Sequence, residues 1–193
     1  MKFVDLCRQY NIEPVPLVQG MGWAYGVVDI NPDCAESIYI QDERHTLTGT
    51  AAVTLQHPNI ILANETYLAV TNASKDVTYQ VDTDYKLIPG DRAVRPFDPA
   101  RKPWRIARIE TGRITDGQEV LVSYDYVPLS KSQSPSCPSD RRTYDIVDQT
   151  LTHTIRRFRP KYIHIGHDEV IRVGTCSRCQ KRGLSKTDAG PLR

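Results

Sequence analysis

The stretch Glu119–Val127 reads "EVLVSYDYV". On an extended chain successive side chains point to opposite faces, so Val120, Val122, Tyr124 and Tyr126 share one side while Leu121 and Val127 lie on the other. β-Branched and aromatic residues with this period describe a strand with at least one buried face. Runs of the same character surround it: "TLTGTAAVTL", "ETYLAVTN", "DVTYQVDTDYKLI" and "WRIARIE". The turn signals "HPN", "NASKD", "IPGD" and "ITDGQ" separate them. Several short strands at this spacing describe a small antiparallel β-sandwich or barrel over residues 41–128. The Pro-rich "FDPARKPW" reads as a loop between strands. The carboxylates of this segment fall at turns, where Asp serves backbone hydrogen bonding, and they form no catalytic cluster.

The flanks have a different pattern. "MKFVDLCRQYNIEP" reads as an amphipathic helix with Phe3, Val4, Leu6 and Cys7 on one face and Tyr10 extending it. A short apolar strand, "VPLVQ", and a Gly-rich loop, "GMGWAYG", follow. After the β-rich segment comes a Ser/Pro-rich connector, "SKSQSPSCPSD". An Asp then starts a second helix whose stripe is Tyr144, Val147, Leu151, Ile155 and Phe158, and Arg159-Pro160 stops it. "KYIHIG" is the next strand. Strands alternating with helices point to α/β material on both sides of an insertion.

Composition narrows the function classes. The chain has 193 residues, 39% hydrophobic and 25% charged, which suits globular structure better than disorder. A formal net charge of +2 is too small to argue for nucleic acid or a membrane surface. No apolar run approaches the ~20 residues that cross a bilayer, and the charges near the N-terminus exclude a signal peptide there. Five cysteines, scattered except for Cys176 and Cys179, do not make a small disulfide scaffold.

The chemistry concentrates in Lys161–Glu169, "KYIHIGHDE". Tyr162 and His164 share one strand face, and Ile163 and Ile165 share the other. Gly166 can break the pleat, leaving the neighbouring carboxylates of Asp168 and Glu169 just past the strand end. In a parallel β/α barrel that is where catalytic residues sit, with the apolar strand face packed beneath helices.

"HIGHDE" resembles the His-x-Gly-Gly-Asp-Glu signature of the family 20 glycoside hydrolases, the β-N-acetylhexosaminidases. The preceding helix and the Arg-Pro-Lys-Tyr approach are similar too. "EPVPLVQGMGW" looks like that family's preceding barrel strand and loop, so the likeness covers roughly residues 1–30 and 141–183. It implies Glu169 as the general acid/base and Asp168 as the group that orients the substrate's 2-acetamido function. It also implies His164 as a residue lining the pocket, a carbohydrate substrate, and no cofactor; Trp23, whose aromatic face suits a sugar's apolar face, and His167 complete the candidate substrate-binding set. The chain departs from the signature at His167, which replaces the second Gly, and at Trp23, where the family often has His.

The fold expectation is therefore α/β: part of a (β/α)8 TIM-type barrel interrupted by a small antiparallel β insertion. Its pieces are residues 1–40 and 141–193 as barrel material, 41–128 as the inserted module, and 129–140 as linker. Such a barrel takes about 250 residues, so the chain reads as a piece of a larger hydrolase, inactive without the remainder of the barrel. Two other classes stay open. His164, His167, Cys176 and Cys179 form a His-x2-His-x8-Cys-x2-Cys series that invites a structural zinc reading. A non-catalytic carbohydrate-binding protein built on the β-module is the other.

Overall fold

The computed structural model describes residues 2–61, 68–91, 102–128, 134–166, 170 and 172–184. Within them the elements run α1 (Lys2–Gln9), α2 (Tyr25–Ile30), β1 (Ile38–Leu47), β2 (Val53–Thr54), β3 (Leu68–Asn72), β4 (Thr78–Tyr79), β5 (Tyr85–Ile88), β6 (Arg105–Arg108), β7 (Gln118–Tyr126), α3 (Arg141–Phe158) and α4 (Ser177–Lys181). A 3-10 turn, Pro32–Cys34, separates α2 from β1.

The strands make two antiparallel sheets, ordered β1-β7-β3-β4 and β2-β6-β5. One core lies between them. Val120, Val122 and Tyr124 of β7 meet Leu47 of β1, Val70 of β3, Tyr85 of β5 and Ile106 of β6, and all are buried. The period-2 pattern of β7 explains why, since every second side chain must enter the same layer. Tyr124 is the largest fully buried side chain. Its hydroxyl donates to the Glu43 carboxylate and accepts from the His57 amide at 3.2 Å, so its polar end is satisfied.

β1 carries a bulge. Ile40 faces Tyr124 and Glu43 faces Val122, so one extra residue is accommodated on β1. Asp42 takes the left-handed conformation there (φ 62°), and its amide donates to Ser123 Oγ at 3.0 Å. The bulge keeps Leu47 in the core and turns Glu43 toward Tyr124.

The helical segments correct the barrel expectation. All named strand pairs are antiparallel. The two segments expected as barrel strands meet only through one parallel bridge, Leu17 to His164. Val18 N donates to His164 O at 2.8 Å, and His164 N donates to Pro16 O at 2.9 Å. Parallel sheets persist when both faces are covered, but here Val15, Leu17, Ile165 and Tyr162 (69% exposed) remain open to solvent. Phe3 and Leu6 of α1, and Tyr10 just after it, are exposed as well. The described residues thus form a mostly antiparallel β protein with flanking helices, not a piece of a TIM-type barrel.

α3 begins and ends as its sequence directs. Asp140 caps it by accepting from Arg142 N at 3.0 Å, and Arg159 leaves it in the left-handed conformation just before Pro160. Its buried side is shifted from the expected stripe. Ile146 and Val147 pack on Ala24, Val27 and Cys34, whereas Tyr144 and Ile155 are exposed. α3 rests its first half on the short α2, and Leu151 and Phe158 further along it are half-buried. α2 itself forms where the Gly-rich loop was expected to continue, because Val27 and Val28 can both be buried there.

The β-module is held at one corner by Asp84. Its side chain is fully buried and receives a bidentate guanidinium from Arg113, with Nε and Nη2 contacts of 3.1–3.2 and 2.6 Å. The amides of Gln80 and Arg113 donate to the same carboxylate. The Arg113 hydrogen bonds hold the Asp84 carboxyl well below the usual carboxylate range, outweighing the opposing effect of burial. A depressed folded pKa stabilises above the unfolded value of about 4 and is lost as pH falls through the folded one. Thermal unfolding between pH 5 and pH 2 should therefore show a steep loss of stability in the native chain and a shallower one in Asp84→Asn. In the core, Ile106→Ala should lower the urea unfolding free energy by about 2–5 kcal/mol, with the denaturant slope unchanged.

Candidate functional site

Two places gather chemistry-bearing residues, and both are organised around "KYIHIGHDE" and the chain that follows it. At the first, the Leu17–His164 bridge lays His164 beside the N-terminal loop. Gly166 adopts φ +66°, the left-handed region that favours glycine. A Cβ at this position would lie 2.3 Å from Gln19 Oε1 and 3.0 Å from Val18 O. Gly166 is thus required twice, by backbone conformation and by the close approach of residues 18–19. Its amide donates to His164 Nδ1 at 3.1 Å. His164 is exposed. Trp23 is half-buried, edge-on to Tyr25 with centroids 6.3 Å apart. His167, Asp168 and Glu169 lie outside the described residues.

The second place is a buried cluster of Glu36, Cys137, Cys176 and Cys179. Glu36 stands between the 3-10 turn and β1, Cys137 in the Ser/Pro-rich stretch, and Cys176 and Cys179 at the cap and in the first turn of α4. One ligand atom from each of the four lies within 4.8 Å of all the others. Cys137 Sγ is 3.5 Å from Cys176 Sγ and 3.7 Å from Cys179 Sγ. Glu36 Oε2 is 3.6 Å from both Cys176 Sγ and Cys179 Sγ.

Local structure accounts for this convergence. The stretch 134–137 is not a solvated connector. Ser136 N donates to Met21 O at 2.9 Å, Ser136 Oγ to Gly20 O at 2.7 Å, and Cys137 N to Cys34 O at 2.7 Å. Glu36 N donates in turn to Pro135 O at 2.8 Å. On the other side Asp125 of β7 accepts from Ser37 Oγ and Ser177 N, both at 3.0 Å, and from the Ser177 hydroxyl. That ties α4 to the larger sheet. Arg178 of α4 donates to the carbonyls of Asp33 and Ala35, both at 2.9 Å, and to the Asp140 carboxylate. Burial alone would raise the Asp140 carboxyl, but hydrogen bonds from Arg142 and the nearby charge of Arg178 hold it below its ordinary value.

The electrostatics of the cluster are those of a desolvated anionic site. Burial pushes the Glu36 carboxyl up, and the neighbouring Cys176 adds to the effect. Hydrogen bonding from Cys137 and Cys176 lowers the Cys179 thiol. Glu36 Oε1 is occupied, accepting from the amides of Thr175 and Cys176 at 3.0 and 3.2 Å. Glu36 Oε2 is left facing the sulfurs. Beside the cluster a cleft of about 590 Å³ is lined by Ile38, Tyr39, Arg172, Gly174 and Thr175 among others, and neither Trp23 nor His164 borders it.

Of the proposed zinc ligands, Cys176 and Cys179 come together in the cluster, while His164 is exposed and makes only an isolated bridge to Leu17, not part of a strand. Glu36 and Cys137 are the members that sequence spacing does not reveal. Cys137 carried one signal, a cysteine between prolines in an otherwise polar stretch. Glu36 carried none. No protein-family model matches the chain, and no curated protein matches it.

The Gly166 geometry yields a direct test. Gly166→Ala should cost about 1–2 kcal/mol for the left-handed conformation, on top of the clash with residues 18–19. Amide exchange at Val18 and His164 should then accelerate about tenfold, while Val122 in the core stays as protected as before.

Proposed function

We propose that the chain is a glycoside hydrolase resembling the β-N-acetylhexosaminidases, removing terminal N-acetylhexosamine with retention. The observation that supports this is the seam between Leu17 and His164. It joins His164 of the motif to the upstream segment that carries the same resemblance, two residues before a glycine with φ +66°. His167, Asp168 and Glu169 follow this glycine in the sequence.

In this reading the substrate supplies its own nucleophile. The 2-acetamido carbonyl oxygen attacks the anomeric carbon while Glu169 gives a proton to the departing glycosidic oxygen. Asp168 accepts the acetamido N–H, which fixes the attacking group and offsets the positive charge of the cyclic oxazolinium. Glu169, now a carboxylate, takes a proton from water as that water opens the ring on the same face. No second carboxylate about 5 Å across the sugar is needed. Trp23 offers an aromatic face for the sugar's apolar side, and His164 and His167 offer ring nitrogens to its hydroxyls. No step calls for a cofactor.

The test compares a chromogenic N-acetyl-β-glucosaminide with the matching β-glucoside, which lacks the acetamido group. Turnover should be confined to the first substrate, and Glu169→Gln should reduce it by about 10²–10⁴-fold. Equal rates on both, or indifference to Glu169→Gln, would sink the reading. Calorimetric binding of an N-acetylglucosamine thiazoline reads the site independently of turnover. It should weaken in Asp168→Asn, and absence of binding at millimolar inhibitor also counts against the proposal.

A further inference from the structure

Glu36, Cys137, Cys176 and Cys179 have the dimensions of a tetrahedral metal site. Zinc–sulfur bonds of about 2.3 Å and a zinc–oxygen bond of about 2.0 Å imply tetrahedral edges of about 3.8 Å between sulfurs and about 3.5 Å from sulfur to oxygen. The two sulfur–sulfur contacts of Cys137 are 3.5 and 3.7 Å. The two contacts of Glu36 Oε2 are 3.6 Å. A disulfide would instead require sulfurs about 2.0 Å apart, and it would leave the third cysteine and the carboxylate unexplained.

Three further features fit a ligated metal. Glu36 is fully buried, and a buried carboxylate is found paired or coordinating a cation. Its Oε1 is held by the Thr175 and Cys176 amides, which leaves Oε2 aimed at the sulfurs. The sulfurs receive the donors that stabilise thiolates. Cys179 N lies 3.3 Å from Cys176 Sγ, Ser139 N 3.4 Å from Cys137 Sγ, and Ser139 Oγ 3.1 Å from Cys179 Sγ.

We propose that these four residues bind one zinc ion as a closed structural site. Three thiolates and one carboxylate suit zinc over magnesium or calcium, which prefer oxygen donors, and four protein ligands leave no position for a substrate. The ion clamps three segments distant in sequence: the entry to β1, the stretch before α3, and α4. It also fixes the chain at Cys176, while the pairing with Pro16 and Val18 fixes it at His164. Residues 165–175, which include the acidic pair, run between those two anchors. The site does not depend on the hydrolase reading and stands or falls separately.

Elemental analysis of the full chain, purified without an affinity tag under reducing conditions, should find about one zinc per chain. Cobalt(II) added to the stripped protein should give thiolate-to-cobalt charge transfer and the strong visible bands of a tetrahedral site. Ser139→Ala, which removes a hydroxyl donor to Cys179 Sγ together with an acceptor for Arg182 at 3.5 Å, should weaken zinc affinity about tenfold or more. Cys7→Ser, remote from the cluster, should leave it unchanged. Glu36→Gln should keep the three-thiolate charge transfer while altering the visible bands, even if Cys137→Ser or Cys176→Ser fails to fold. A folded, reduced chain that binds neither zinc nor cobalt overturns the proposal. So does a native disulfide between any two of Cys137, Cys176 and Cys179.

Discussion

The structure depends on β7 being buried along both faces from Val120 to Asp125 and paired along both edges. It lies between β1 and β3 in the larger sheet, and Val120, Val122 and Tyr124 carry the core shared by both sheets. A strand in that position tolerates little slippage, because a shift of one residue would drive the whole apolar set to the wrong side. The register also fixes its opposite face. Asp125 then projects away from the core and collects the Ser37 and Ser177 donors, which brings α4 against the sheet. Hydrophobic alternation in one strand thus decides where a distant polar cluster assembles.

Around that cluster the chain is held together by buried polar groups more than by apolar area. Asp140 caps α3 and at the same time neutralises Arg178 and Arg142. Arg178 in turn satisfies two carbonyls of the turn that leads to Glu36. Such networks stabilise only when every member is satisfied, since an orphaned buried charge costs several kcal/mol. Glu36 and the three cysteines form the innermost part of this network and hold its greatest concentration of potential negative charge. A metal there completes the same logic that the arginines serve further out. The Leu17–His164 seam is a weaker join: two backbone hydrogen bonds with exposed apolar side chains around them.

Local signals were legible wherever a side-chain pattern or a capping residue sets the conformation by itself. The alternation in "EVLVSYDYV", the Asp140 start and Pro160 stop of α3, the helix at α1, and the unusual backbone at Gly166 all belong to this class. They rest on period, on φ restrictions and on nearby hydrogen bonds, which need no knowledge of the rest of the chain. The barrel reading rested on something else, the assumption that two apolar segments flanked by helices would find a parallel sheet. Alternation cannot say what covers a strand, and here Val15, Leu17 and Ile165 stay exposed. For the same reason the stripe on α3 is only partly right: Val147 packs on α2, while Tyr144 and Ile155 stay exposed.

The candidate sites divide along the same line. The "HIGHDE" motif is contiguous, so the sequence alone determines that His164, Asp168 and Glu169 lie within six residues of one another. The Cys-x-x-Cys pair at Cys176 and Cys179 is local as well, since a helix start brings residues three apart to the same side. Only tertiary structure decided their companions. Glu36 and Cys137 reach the pair because β7 positions α4 through Asp125, and because residues 134–137 hydrogen-bond to the chain around Gly20 and Cys34. No spacing rule encodes these contacts, because they are set by packing between segments far apart in the chain.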